Sequence, residues 1–212
     1  GALAFGPDGL LYITTGDATS AVLAQDMKSL GGKILRLNDD GTIPSDNPFN
    51  TAVWTSGHRN PQGLAWDTDG NLWQTEHGPT GEGGRCCNDE LNKLVKGGNY
   101  GWPTIIGDEA KSGLLGPEKH SGDGTWAPAS LVYLDGALYF GALKAEGIYK
   151  ATIQNGSITS LTKHLDGTYG RIRTIRVGPD NMLYITTSNT DGRGSAGATD
   201  DRIIRINPAS LQ

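Results

Sequence analysis

Apolar and polar residues alternate with period two over short runs, and one phrase recurs along the chain. It reads Leu3-Ala4-Phe5-Gly6-Pro7-Asp8-Gly9-Leu10-Leu11-Tyr12-Ile13-Thr14-Thr15, then Leu64-Ala65-Trp66-Asp67-Thr68-Asp69-Gly70-Asn71-Leu72-Trp73-Gln74-Thr75, then Ile175-Arg176-Val177-Gly178-Pro179-Asp180-Asn181-Met182-Leu183-Tyr184-Ile185-Thr186-Thr187. Each copy predicts a strand, a tight turn and a second strand, because Gly or Asn falls where φ must be positive and, in the first and third copies, proline sits at a φ it prefers. The run Ala137–Ala142 supplies a weaker fourth copy, so the residues opening the second strand are Leu11, Leu72, Leu138 and Leu183, spaced by 61, 66 and 45. Further strand candidates follow at Lys33–Leu37, Gly147–Ala151 and Arg202–Ile206. A unit this long holding several antiparallel strands predicts a propeller blade; a β-sandwich, whose turns recur about every 8 to 12 residues, fits the spacing less well. The chain therefore reads as all-β, a single propeller domain over 1–212 with about four blades of four strands. Ala21–Leu30 is the best helix candidate and is short, while Thr80–Gly98 and Gly107–Gly124 read as long loops.

Composition sharpens this picture. Glycine, at 32 of 212 residues, is about twice its usual ~7% share, as many tight turns require. The net charge of -5 comes with no clustered basic face, which argues against a nucleic-acid partner. No apolar run approaches the ~20 residues of a membrane helix, and the chain opens at Gly1 on a strand rather than on a basic and then apolar leader, as a mature, trimmed or incomplete chain would. The two cysteines, Cys86 and Cys87, are adjacent; they read either as plain loop thiols or as a vicinal disulfide from an oxidising compartment.

Inner strands of a propeller deliver their ends to one channel, and four polar turns fall at such ends: Thr14–Asp17, Gly57–Asn60, Gly141–Lys144 and Gly170–Arg173. Arg59, Lys144, Arg171 and Arg173 converging there would favour an anionic ligand. Taken singly, Arg171 and Arg173 fit surface cations, Asp17 fits a turn cap, and His58 and His77 fit structural roles.

Jointly these residues resemble the soluble pyrroloquinoline-quinone-dependent sugar dehydrogenases, the glucose/sorbosone and aldose sugar dehydrogenase group. The resemblance rests on His58-Arg59-Asn60-Pro61-Gln62-Gly63-Leu64, Glu76-His77-Gly78-Pro79, Asn88–Asn92, Gly97–Pro103, Lys144 and Arg171-Ile172-Arg173, over essentially the whole chain. It implies a six-bladed propeller that oxidises an aldose at C1 by hydride transfer to calcium-bound quinone, with an external electron acceptor and a periplasmic or secreted location. It places Arg59, Asn60, Lys144, Arg171 and Arg173 on the cofactor, and the carbonyls of Gly78 and Pro79 on calcium. Glu90 and Tyr100 match a second calcium site, although Ala110 stands where a carboxylate is expected and Thr174 where Asp is frequent. Trp126 matches an aromatic neighbour of the cofactor.

The family's general-base histidine aligns upstream of Gly1, which leaves Asp17, matched to the carboxylate that orients it, without a partner. About four blades of six also predict a partial ring. Two other functions stay open: a truncated propeller that binds or assembles through open blade edges without turnover, and a calcium-only propeller lactonase.

Overall fold

The computed structural model describes residues 1–211. The first sheet joins β1 (Leu3–Phe5), β2 (Leu11–Thr15), β3 (Lys33–Leu37) and β4 (Val53–Ser56); the second joins β5 (Pro61–Trp66), β6 (Leu72–Glu76), β7 (Glu90–Leu94) and β8 (Lys119–His120). The third holds β9 (Pro128–Leu134), β10 (Ala137–Ala142), β11 (Gly147–Gln154) and β12 (Ser157–His164), and the fourth holds β13 (Ile172–Val177), β14 (Leu183–Thr187) and β15 (Ile203–Ile206). All pairings are antiparallel between neighbours in the chain, so each sheet is a blade of a β-propeller.

The recurring phrase builds the first two strands of three blades, and one device fixes each copy. Gly9, Gly70 and Asn181 adopt positive φ (77°, 80° and 55°) in the turns. Asp8, Asp67 and Asp180 each accept from a turn N–H, those of Leu10 (3.2 Å), Asn71 (2.8 Å) and Met182 (3.2 Å). The same carboxylates accept from the aromatic residue that follows the opening leucine: Tyr12 Oη (3.0 Å), Trp73 Nε1 (2.8 Å) and Tyr184 Oη (3.1 Å). Asp and Tyr or Trp are thus coupled across every such turn, which pins strand register as well as turn shape.

Successive blades pack face to face. Tyr12, Ile34, Leu64 and Leu72 fill the first interface, Trp73, Leu91, Leu131 and Phe140 the second, and Ile148, Ile172, Ile175 and Leu183 the third. Hydrogen bonds stitch the interfaces: Thr14 Oγ1 donates to Pro61 O (2.9 Å), Thr75 Oγ1 to Ala129 O (2.7 Å), and Ile175 N to Ser130 Oγ (2.6 Å). At Gly141 a Cβ would lie 2.7 Å from Ile172, so glycine lets the third and fourth blades approach. Leu3, Gln62, Ser130 and Arg176, one from each of β1, β5, β9 and β13, line a single groove, which sets the first strands around a common axis.

Several expectations need correction. The helix candidate at Ala21–Leu30 is a 3-10 turn over Ala21–Ala24, fastened because buried Lys33 Nζ donates to the carbonyls of Leu23 (2.7 Å), Ala24 (3.0 Å) and Gly31 (2.8 Å). The two long loops contain β7 and β8. β7 escaped notice because it is polar, yet its Asn92 is buried and Nδ2 donates to Gln74 Oε1 on β6 (2.9 Å). The fourth blade has three strands among the described residues. Cys86 and Cys87 form a disulfide, which decides between the two readings of this pair.

Candidate cofactor site

The loops leaving the blades enclose a cavity of about 720 Å3. Asn60, Lys144, Arg171 and Arg173 line it together; equivalent positions on repeated hairpins predict this for the three cations, and the family resemblance for Asn60. His77, Asp89 and Asp191 also line it, and none of these three was read as a ligand-facing residue from sequence.

Arg59 and Asp17 stand apart from that wall. The Arg59 guanidinium pairs with Glu82, donates to Thr80 Oγ1 (3.0 Å) and lies 6.0 Å from the Trp102 ring centroid. Asp17 Oδ2 accepts from Trp102 Nε1 (2.8 Å), and its N–H donates to Arg59 O (2.9 Å). The four-way convergence of Asp17, Arg59, Lys144 and Arg173 on one channel therefore holds only for the last two. The cations also have acidic partners that sequence proximity hid: Glu82 for Arg59, and Asp191 for Arg171 (2.9 Å) and Arg173 (3.5 Å). A backbone bond from Arg193 N and the Arg171 guanidinium hold the Asp191 carboxyl down at about 2.

The backbone of the Arg59–Asn60 turn is set by Glu76. This buried carboxylate accepts from the N–H groups of Arg59 and Asn60 and from Gln74 Nε2 (3.0 Å), and lies 2.9 Å from His58 Nδ1. His58 is wholly buried, stacked on Tyr100 with centroids 5.0 Å apart, and its Nε2 is 2.8 Å from Thr55 Oγ1. His58 is therefore a structural residue of this turn. His77 Nε2 is 2.8 Å from Pro128 O, which can only accept, so the proton sits on Nε2. Burial pushes the His77 imidazole below its ordinary value, the Asp89 charge opposes this, and Arg59 and Arg173 add to the lowering.

Gly78 and Pro79 follow His77. A Cβ at Gly78 would collide with the Cys87 carbonyl, so only glycine fits against the disulfide-bearing loop. Asp89 fixes this turn: Oδ1 accepts from Gly78 N (2.8 Å), while Oδ2 accepts from Trp126 N (2.6 Å) and Ala127 N (2.7 Å). Pro79 O accepts from Cys87 N (2.9 Å), which leaves one of its two lone pairs. The Trp126 ring instead packs on Phe140 (5.6 Å) and Tyr149 (5.2 Å) within the core.

Glu90 and Tyr100 do not present their side chains together. The Tyr100 hydroxyl donates to Lys93 O (2.6 Å) and accepts from Val95 N (3.0 Å), whereas Glu90 is register-paired with Glu76 and accepts from Asn92 Nδ2 (3.0 Å). Burial first, then the charge of Glu76, push the Glu90 carboxyl up to about 8. Its folded form thus holds a proton that the unfolded chain releases near 4.5. In chelator, stability should fall as pH rises from about 4.5 to about 8, because the native state binds the extra proton in that window. Glu90→Gln should flatten this slope in urea titrations; an unchanged slope would show that Glu90 is ionised in the fold.

Comparison with known proteins places this geometry. The family model "Glucose / Sorbosone dehydrogenase" matches residues 1–204. The chain belongs to the glucose/sorbosone dehydrogenase family. It is 33% identical to aldose sugar dehydrogenase YliI of Escherichia coli (strain K12), over 91% of this chain and 57% of that protein. It is 43% identical to quinoprotein glucose dehydrogenase B of Acinetobacter calcoaceticus, over 53% of this chain and 27% of that protein. The structure of the PQQ-bound form of aldose sugar dehydrogenase from Streptomyces coelicolor superposes with a TM-score of 0.89 at 40% identity, covering 97% of this chain and 60% of that one. This glucose/sorbosone dehydrogenase family chain thus spans less than two thirds of those relatives.

The residues present suit a carboxylate-rich cofactor. The Lys144 ammonium is exposed and has no ion pair among the described residues, and the cavity carries four cationic side chains (Lys144, Arg171, Arg173, Arg193) against two carboxylates (Asp89, Asp191). Among the described residues no cluster of three His, Cys, Asp or Glu side chains could hold a metal. Gly78 and Pro79, whose carbonyls the resemblance gives to calcium, are buried beside the cavity-lining His77 and do not themselves line the cavity; carbonyl oxygens are a donor type that suits calcium.

Proposed function

We propose that this cavity binds pyrroloquinoline quinone with calcium and serves the oxidation of an aldose at C1. The observation that carries this reading is the unpaired Lys144 beside Asn60, Arg171 and Arg173 on one cavity wall, in a chain of the glucose/sorbosone dehydrogenase family. Bound there, the quinone would accept the hydride, and calcium would make it more electrophilic. Lys144 and Arg173 would hold carboxylates, Asn60 would donate to an oxygen of the cofactor, and the Gly78 and Pro79 carbonyls would take calcium. Arg59, drawn off by Glu82, would flank the cofactor only if that pair opens. Asp17, bonded to Trp102, would orient a base in the intact active site.

An external electron acceptor and a periplasmic or secreted location belong to the same proposal, and the disulfide agrees with an oxidising compartment. No helix among the described residues is long and apolar enough to cross a membrane. Exposed Leu3, Phe5 and Ile203 on β1 and β15 are the surfaces through which self-association would run. A binding module without turnover is less well supported, since the relatives above that carry an activity in their names are sugar dehydrogenases.

The test is a titration of the purified chain with the quinone, with and without calcium, followed by its absorbance, then dye-linked oxidation of an aldose. Saturable binding that needs calcium is expected. Absence of any calcium-dependent binding would sink the reading.

A further inference from the structure

The turn Asp191-Gly192-Arg193-Gly194 closes one side of the cavity, and its construction differs from the other cationic walls. Asp191 Oδ1 accepts from Arg193 N (2.9 Å), and Gly192 at a φ of 81° lets the chain reverse. Gly194 lies against the Arg171 side chain, where a Cβ would fall 2.7 Å from Cδ, so the turn is seated on Arg171.

Arg171 is almost fully consumed by this seating. Its Nε and Nη2 donate to Asp191 Oδ2 (3.3 and 2.9 Å), its Nη1 donates to Leu143 O (3.0 Å), and it is buried. Arg173 touches the same carboxylate oxygen at 3.5 Å. Asp191 therefore offsets the charge of Arg171 and only weakly engages the more exposed Arg173. Arg193 has no hydrogen-bonded or ionic partner for its guanidinium among the described residues, although its side chain lines the cavity. The cations of the wall without any ionic partner among the described residues are thus Lys144 and Arg193, from two different loops, and Arg173 adds charge that Asp191 does not fully offset.

We infer that Arg193 is a further anion-binding residue of this cavity, contributing a guanidinium to a carboxylate of the bound ligand alongside Lys144. The inference rests on the cofactor reading above. Arg171 and Asp191 act through Arg193 by seating its turn and are positioning residues. A planar fork with five donors suits a carboxylate bidentately, which a lysine in that place would not match.

The experiment measures quinone affinity of the purified chain, in calcium and at two salt concentrations, for wild type, Arg193→Ala, Arg193→Lys and Lys144→Ala, with thermal unfolding of each as a check on folding. Arg193 is exposed, so its substitution should leave unfolding unchanged. Arg193→Ala should bind roughly tenfold more weakly and with a shallower salt dependence, and Arg193→Lys should recover only part of the loss. Equal affinity of Arg193→Ala and wild type, with Lys144→Ala weakened, would overturn this inference and leave the cofactor reading intact. No binding by wild type would overturn both.

Discussion

Replacing Asp89 by alanine should cost about 3 kcal/mol or more of folding stability, read as a fall in the urea midpoint. Three backbone N–H groups, those of Gly78, Trp126 and Ala127, lose their acceptor at once. An unsatisfied buried donor costs about 1 to 3 kcal/mol, and water can reach only some of these positions. The change also frees the Gly78–Pro79 turn from the loop that carries Trp126 and Ala127, so quinone binding should fail in the folded fraction. Asp89→Asn should rescue little, because an amide nitrogen would then face one set of N–H donors. A midpoint within experimental error of wild type would show that the turn is held by other means.

Lys144→Ala should weaken quinone binding by about 1.5 to 3 kcal/mol, on the order of ten- to a hundredfold, the range for a lost charge-assisted hydrogen bond. Its ammonium has no internal ion pair to rearrange, so the loss should appear in binding and leave unfolding unchanged. Arg59→Ala is the instructive contrast. Arg59 is already paired with Glu82, so its removal should cost less affinity than the Lys144 change. Calorimetry giving Lys144→Ala the wild-type affinity would remove Lys144 from the site, and a larger effect of Arg59→Ala would show that the Arg59–Glu82 pair opens on binding.

The hairpins were legible because their determinants are local. Asp8, Gly9 and Tyr12 lie within five residues, and each contact among them can be read from turn chemistry and period. β7 was illegible for the opposite reason: Asn92 is buried only because Gln74 on a neighbouring strand takes its amide, and no pattern within Glu90–Leu94 says so. The site divides in the same way. Lys144, Arg171 and Arg173 fall at equivalent ends of repeated units, so repeat arithmetic brings them together, whereas the same arithmetic does not hold for Arg59 and Asp17. Glu82 and Asp191 enter on irregular loops 23 and 20 residues from Arg59 and Arg171, and their pairing depends on how those loops fold back. Asp89 was visible only as a letter in a family-like string, while its three backbone partners come from two distant segments.

The Cys86–Cys87 bond has an unusual standing in polymer terms. A crosslink limits the unfolded ensemble by closing a loop of chain, and this one joins neighbours and closes none. It cannot act as a staple for the propeller, and its worth must lie in the native state, where Cys87 adopts a φ of 73° and its N–H and C=O bear on Pro79 and Gly78. The bond therefore acts on the local shape of the loop beside Gly78 and Pro79, the carbonyl pair proposed for calcium, rather than on the entropy of the unfolded chain.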